Sequence, residues 1–311
     1  MLNSNKKMGI GIIGMGKMGI MHSAILNSLE NSKIVAVCDT SRFFNFVAKR
    51  LNFPGKTYKS YIDLISNPEV ELVYITTPVF LHYPIILECI KKGKGFFVEK
   101  PLCLNIAEAE SIASKLDKTE LMTMIGYDYN FKPTYKRLIE LVTNKELGDV
   151  ISFEAFSYKS SVKKRSKNWR FNKELSGGGV VTSFGSHILS VLVNLFGIHK
   201  NLDSRILSYF DDEIEDFAEV NFEFSSSING KYTMDWTKGS YRKEDNRIRV
   251  ICVNGEIIAD NYQIKIIDSE SNNTRIIPVQ EIWKGSHLDL GGTHYSIQDA
   301  KFIDSFLQRK E

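Results

Sequence analysis

The sequence predicts an α/β protein in two parts. Residues 1–125 read as a doubly wound parallel sheet, and residues 126–311 as a second α/β domain built on a large open, mainly antiparallel sheet. Three observations predict this. Through the first 125 residues, short apolar runs alternate with helical patterns, and runs that are apolar on both faces imply a parallel sheet covered by helices on each side. From about residue 205 to 278, strand-like runs follow one another without intervening helices, which implies antiparallel neighbours. A chain of 311 residues, 43% hydrophobic and 25% charged, also exceeds what one compact core usually holds.

The elements follow in order. "MGIGII" opens the first strand, and a helical pattern runs from Lys17 to Leu29. "KIVAVC" is followed by a helix over 41–51, "VELVYIT" by one over 79–92, and "GFFV" by one over 104–116, with "LMTMIG" as the last strand of this part. After Gly126 the rhythm changes: a helix over 133–147 leads to the alternating strand "DVISFEAFSY", then a polar loop, then the apolar helical run in "SGGGVVTSFGSHILSVLVNLFG". In the later strand region, "VNGEI" predicts a hairpin turn at Asn254-Gly255.

Charge and composition exclude several classes. A net charge of +3, with 40 basic against 37 acidic residues, gives no global field for nucleic acid or anionic lipid. The N-terminal "MLNSNKKMGIGIIGMG" reads as a strand without a signal peptide, and no uninterrupted apolar segment approaches the roughly 18 residues of a membrane span. Cys38, Cys89, Cys103 and Cys252 lack metal-type spacing, and three lie in apolar segments, which fits reduced thiols in a cytoplasmic protein. His22, His199, His287 and His294 show no ligand spacing, so no metal is expected.

The first chemical signal is "GMGKMG", with Gly14, Gly16 and Gly19 placed after the first strand and at the start of a helix. The first glycine permits the tight turn, the second lets a pyrophosphate approach the backbone, and the third lets helix and strand pack closely. The helix N-terminus adds N–H groups and dipole for an anion. Asp39 ends the second strand, 20 residues after Gly19, where a carboxylate accepts from adenosine ribose hydroxyls and repels a 2′-phosphate. These features predict a Rossmann domain that binds NAD(H) in preference to NADP(H), with Arg42 nearby weakening the preference.

Two further strand ends carry polar residues to the crevice where open α/β sheets bind ligands. "TTPVFLH" supplies Thr76, Thr77, Pro78 and His82, although Thr77 also suits a helix cap and His82 suits loop packing. "EKP" supplies Glu99 and Lys100, with Pro101 a candidate for a cis peptide.

The motifs "GMGKMG", "TTPVFLH", "EKP" and "GYDYNFKP", in this order and spacing, resemble the Gfo/Idh/MocA oxidoreductases, and the likeness runs on through "NWRFNKELSGGG" to the His187 helix. The resemblance implies a Rossmann domain and an α/β domain whose open sheet often mediates a homodimer or homotetramer. It implies hydride transfer between nicotinamide and a secondary alcohol or ketone of a sugar-like substrate. It also places Lys100 beneath the nicotinamide and His187 at the position of the family's acid/base. A histidine that titrates near neutrality can move the hydroxyl proton, and a lysine can steady developing alkoxide charge. The expected cofactor contacts are Gly14, Met15, Gly16, Lys17, Met18, Gly19, Asp39, Thr40, Arg42, Thr76, Thr77, Pro78, His82, Glu99, Lys100, Trp169 and Arg170. The expected substrate contacts are Lys100, Asp128, Tyr158, Lys163, Arg165, Ser183 and His187.

The chain departs from the family pattern in four places. Ser183 and Ser190 stand four before and three after His187, where many relatives carry aspartates, so the imidazole is expected to lack carboxylate partners. Asn130 stands where arginine is frequent, and the chain stops after "FIDSFLQRKE" where many relatives continue through one more helix. The basic run "KSSVKKRSKN" reads either as a solvated loop or as an anion-binding lid, which would suit a nucleotide-linked sugar or a sugar acid. Two alternatives stand beside the dehydrogenase: an enzyme that retains NAD and uses transient oxidation for elimination or glycoside cleavage, and a cofactor-binding regulatory protein without catalysis.

Overall fold

The computed structural model describes residues 7–41, 44, 50, 55–160, 168–210, 213–224, 227–279 and 292–309. The predicted helix over 41–51 lies largely outside them, as do Arg42, Lys163 and Arg165. The chain divides into two compact units, Met1–Gly126 with Ser286–Glu311, and Tyr127–Gly285.

The first unit carries a six-stranded, wholly parallel sheet of β1 (Met8–Ile13), β2 (Ser32–Cys38), β3 (Lys56–Tyr58), β4 (Leu72–Ile75), β5 (Gly95–Val98) and β6 (Thr123–Ile125). Its order, β3-β2-β1-β4-β5-β6, reverses direction between β1 and β4. Among the described residues, the helices α1 (Lys17–Ser28), α2 (Tyr61–Ile65), α3 (His82–Lys91) and α4 (Ile106–Leu116) follow these strands. Local chemistry sets their starts. Ser60 caps α2 by accepting from the Asp63 N–H, and Asn105 caps α4 by accepting from Glu108, whose carboxylate accepts in turn from the Leu104 N–H.

Alternation along the strands divides the apolar side chains between two covered faces. Ile13, Ala36, Val73, Ile75, Phe96 and Val98 pack against α2, α3 and α4. Ile10, Ile12, Ile34, Leu72, Tyr74 and Phe97 pack with Leu26 of α1 and with Phe302, Ile303 and Phe306 of the terminal helix, Thr293–Gln308. The sequence reading put residues 286–311 in the second domain, and the structure corrects this. The apolar stripe of the terminal helix covers the second face of the parallel sheet.

The second unit begins with α5 (Pro133–Thr143), which stops short of residue 147 because Asn144 caps it and Lys145 follows at positive φ. Its eight-stranded sheet comprises β7 (Val150–Tyr158), β8 (His199–Leu207), β9 (Phe217–Phe224), β10 (Asn229–Asp235), β11 (Asp245–Cys252), β12 (Gly255–Asp260), β13 (Gln263–Asp268) and β14 (Asn273–Pro278). The order is β14-β13-β12-β11-β7-β10-β9-β8, antiparallel except for the β7 and β10 pair. Val253 and Asn254 form the hairpin turn, one residue earlier than predicted. Gly255 already pairs with Cys252, and a Cβ on it would lie 2.0 Å from the Ile267 carbonyl oxygen.

One face of this sheet, with Phe153, Ala155, Tyr232, Ile248 and Val250, packs against α5 and α6 (Ser186–Phe196). Glu154, Phe156, Tyr158, Arg247 and Arg249 occupy the other face, where Arg249 pairs with both Glu154 and Glu256.

The stretch Lys173–Phe196 is the most apolar of the described helical segments, and polar residues such as Ser183, His187 and Asn194 interrupt it. Within these 24 residues, an 18-residue window reaches a mean hydropathy of 1.5, apolar enough for a membrane span by length and composition alone. Half of that apolar window is buried inside the protein, with Ile188, Val191, Leu192 and Phe196 in the core of the second unit. All four cysteines are free, and Cys38, Cys89 and Cys252 are buried.

Phe302→Ala should lower the unfolding free energy by about 3–5 kcal/mol in a denaturant titration, because its buried ring closes one face of the parallel sheet. An unchanged midpoint would show that the terminal helix contributes little to this core.

Candidate functional site

In the first unit, the glycine loop has the geometry that its sequence predicts. Gly14 has φ 94°, and a Cβ there would lie 2.8 Å from the Thr77 nitrogen. A Cβ on Gly19 would lie 2.0 Å from the Gly14 carbonyl oxygen, so only glycine lets α1 approach the loop. A Cβ on Gly16 would meet nothing within 4 Å, which leaves open space over the start of α1 for an anionic ligand. Gly16 and Lys17 are exposed, Met18 is half-buried, and the Met15 side chain belongs to the core beneath.

Asp39 accepts from the Met15 N–H at 2.7 Å and from the Ser41 N–H at 2.7 Å, and Thr40 beside it is exposed. An ionised carboxylate offers about four acceptor sites, of which the Met15 and Ser41 N–H groups use two. Thr76 is buried, and its hydroxyl reaches the Gly14 carbonyl at 2.5 Å, so it fastens the loop to β4. Thr77 and Pro78 lie half-buried at the same strand end.

His82 was expected among the cofactor contacts, and the structure gives it a different place. It is buried, with Nδ1 2.9 Å from the Pro101 carbonyl and Nε2 3.0 Å from the Thr77 carbonyl, so it clamps the two loops together. Burial pushes its pKa below the ordinary histidine value, although these carbonyls oppose the shift.

Glu99 is likewise buried and committed. One carboxylate oxygen lies 3.0 Å from His22 Nε2, and the other accepts from the Lys100 N–H at 3.2 Å. His22 Nδ1 lies 2.7 Å from Asp299 on the terminal helix, so a fully buried imidazole sits between two carboxylates. Burial alone would lower its pKa, but Asp299 and Glu99 outweigh that and push it up to about 10. The Lys100-Pro101 peptide is cis, as the sequence suggested. Sequence reasoning missed His22 and Asp299, which are 277 residues apart and share no local pattern.

In the second unit, the structure corrects the expectation that His187 lacks a carboxylate. Asp128, fully buried in the turn Asp128–Phe131, places Oδ1 2.7 Å from His187 Nδ1. Asp128 was expected to face substrate, and it is instead the partner of the imidazole. The His187 side chain keeps 13% exposure, and its Nδ1 lies at ion-pair distance from the Asp128 carboxylate. Tyr129 stacks on the imidazole, with ring centroids 4.5 Å apart at 26°.

The serines also read differently. Ser183 lies in a π-helical turn, Val181–Gly185, so the α-helical i−4 register that put it on the His187 face does not hold. Ser190 donates to the His187 carbonyl at 2.6 Å and accepts from Asn130 Nδ2 at 3.0 Å. Two of the departures, Asn130 and Ser190, therefore bond to each other. Glycines and Glu215 set the entry to this helix, since Glu215 Oε1 accepts from the Gly179 and Val181 N–H groups. A Cβ on Gly185 would lie 2.1 Å from Met234 Sδ.

Tyr158 does not join this cluster. Its neighbour Ser157 faces the helices and bonds to Tyr232, so Tyr158 points to the opposite face of the sheet, where it stacks on Phe156 and meets Lys238. Trp169 and Arg170 lie in the turn Trp169–Phe171, with the guanidinium 4.6 Å from the Trp169 ring. Among the described residues, no three His, Cys, Asp or Glu side chains group as metal ligands.

A parallel sheet with a glycine-lined loop and an acidic second strand end, followed by a carboxylate-supported histidine, defines a nicotinamide-dependent oxidoreductase class. Residues 8–127 match the family described as "Oxidoreductase family, NAD-binding Rossmann fold", and residues 135–258 match the "GFO/IDH/MocA C-terminal domain". The chain belongs to the Gfo/Idh/MocA family. It is 28% identical to trans-1,2-dihydrobenzene-1,2-diol dehydrogenase of Mus musculus over 72% of this chain and 67% of that protein. It is 27% identical to scyllo-inositol 2-dehydrogenase (NADP(+)) IolW of Bacillus subtilis (strain 168) over 69% of this chain and 59% of that one. In fold, it is similar to levoglucosan dehydrogenase in complex with NADH and levoglucosan, at a TM-score of 0.87 and 17% identity, covering 97% of this chain and 90% of that one.

The raised His22 pKa fixes the sign of one pH effect. An imidazole that titrates near 6.5 unfolded and near 10 folded stabilises fully below pH 6.5, and loses that contribution as pH rises through about 10. Thermal unfolding of wild type and His22→Gln should therefore differ most at about pH 6.5 and below, and converge toward pH 10. A gap that widens with pH would show that His22 folds in its neutral form.

Proposed function

We propose that the protein is an NAD(P)(H)-dependent oxidoreductase that transfers a hydride between nicotinamide and a secondary alcohol or ketone of a sugar-like molecule. The observation that carries this is the buried Asp128 carboxylate 2.7 Å from His187 Nδ1, which fixes an acid/base nitrogen on a rigid helix. A bound nicotinamide dinucleotide supplies the hydride donor or acceptor. The residues present fit it, because the space above Gly16 is open and Asp39 holds the loop from the end of β2.

The chain's own residues divide the remaining work. Asp128 orients the His187 ring and stabilises its protonated form, so that Nε2 takes the hydroxyl proton during oxidation and returns it during reduction. Lys100, whose backbone is fixed by Glu99, orients the oxygen and offsets developing negative charge. Gly14, Gly16, Gly19, Asp39 and Thr77 hold the cofactor, with Lys17, Met18, Thr40, Pro78, Trp169 and Arg170 as further contacts. The Asp39 carboxylate favours NAD(H), and NADP(H) remains the alternative.

The family relatives named above act on diols and inositols by their names, and this supports a polyhydroxylated substrate. A nucleotide-linked sugar or sugar acid suits the basic run at 159–167, of which 161–167 lie outside the described residues. We assign substrate binding and a homodimer or homotetramer contact to the second unit. A small-molecule substrate, without nucleic acid or membrane, fits a net charge of +3, and the free cysteines fit the cytoplasm.

His187→Gln should lower kcat by about 10²–10⁴-fold, measured as the change in NADH absorbance on a polyol or nucleotide-sugar panel, and Asp128→Asn should lower it in the same direction. Wild-type turnover in His187→Gln would remove the acid/base assignment, and product formation without net NADH change would identify the retained-cofactor alternative. The two loop glycines separate binding from folding. Gly16→Ala should weaken NAD(H) binding in a fluorescence titration with little change in melting temperature, whereas Gly19→Ala should lower the melting temperature.

A further inference from the structure

Behind His187, the second unit holds a cluster that the reaction scheme above does not use. Tyr129, whose ring stacks on the imidazole, donates its hydroxyl to Glu244 and accepts from Asn246 Nδ2 at 3.1 Å. The Lys132 ammonium lies 3.4 Å from the Tyr129 ring centroid and donates to Asn261 Oδ1 at 3.1 Å. Since Lys132 lies 3.4 Å and His187 4.5 Å from the same ring centroid, the ammonium and the imidazole are within about 8 Å of each other, inside the range where poorly solvated charges interact strongly.

The remaining charges are of both signs. Asp128 contacts His187 directly from the turn before α5, and Lys159, just past β7, lies 3.5 Å from Glu244. Further titratable groups of this cluster are Tyr135 of α5 and Tyr232 of β10, both buried and pushed well up, with Asp245 and Asp260 acting on Tyr135. Burial pushes Lys132 down to about 8, with Glu244 and Asp128 opposing that shift. Burial also raises Glu244, but the Tyr129 hydroxyl and the two lysines hold it below the usual carboxylate range.

We propose that Lys132 and Glu244, acting across the Tyr129 ring, are positioning residues that set the proton affinity of His187 and hence the pH range over which it exchanges protons. This rests on the acid/base reading of His187. A cation beside the imidazole disfavours its protonation and an anion favours it, so the two residues act with opposite sign. Asp128 alone would make His187 a stronger base, and Lys132 restrains it. Tyr129 is buried, and so little solvent screens the interaction that both groups make beside its ring.

The test is the titration midpoint of the His187 imidazole, read by NMR in the full chain without ligand and assigned by the signal that His187→Gln removes. Lys132→Met should raise the midpoint by about one unit, Glu244→Gln should lower it, and Lys132→Arg should restore the wild-type value. Midpoints that stay in place, or move in the same direction for both substitutions, would overturn the inference. Glu244→Gln keeps the acceptor for Tyr129 and nearly the same shape, so its shift alone decides the matter if Lys132→Met does not fold. If His187→Gln retains turnover, the acid/base reading fails whatever the midpoints do. If it loses turnover and the midpoints do not move, only the present inference fails.

Discussion

A buried histidine held between two carboxylates is the interaction on which the first unit depends. His22 sits without solvent exposure between Glu99 and Asp299, and so joins α1, the end of β5 and the terminal helix through one ring. Breaking a buried ion pair by removing one partner leaves an uncompensated charge, which typically costs about 3–5 kcal/mol. The constraint also reaches the chemistry, because the second oxygen of Glu99 holds the Lys100 N–H. The lysine proposed to orient the substrate thus stands on a carboxylate whose position depends on the last helix of the chain.

The second unit solves a related problem with different parts. An acid/base histidine requires an anionic neighbour to fix one nitrogen and to stabilise the protonated ring. The helix that carries His187 has Ser183 and Ser190 near it, and the carboxylate comes from Asp128, 59 residues earlier. Ser190 is bonded to Asn130, so the segment that delivers Asp128 is also tied to the His187 helix. Two of the departures from the family pattern, Asn130 and Ser190, form one local arrangement, in which a neutral amide-hydroxyl contact accompanies a carboxylate supplied from outside the helix.

Much of the fold and part of the site could be read from the chain. The parallel sheet followed from apolar runs punctuated by helices, and each glycine of "GMGKMG" occupies the geometry its position implies. The resemblance carried Lys100 and His187 as candidate catalytic groups. It could not show that His82 and Glu99 are turned inward, because a polar residue at a strand end has the same sequence signature whether it meets ligand or a neighbouring loop. Tyr158 failed for a similar reason: alternation tells that it faces away from Ser157, and only the packing of α6 tells which of those faces carries His187.

By itself, the sequence determined periodicity, local turn chemistry and the order of motifs, since these depend on residues close together in the chain. The tertiary structure decided which buried charges meet. His22 with Asp299, and Asp128 with His187, are paired across 277 and 59 residues respectively, by helices and turns whose apolar faces select their positions. A buried charge needs its partner within a few ångströms, and that distance is fixed by the packing of the core rather than by spacing along the chain.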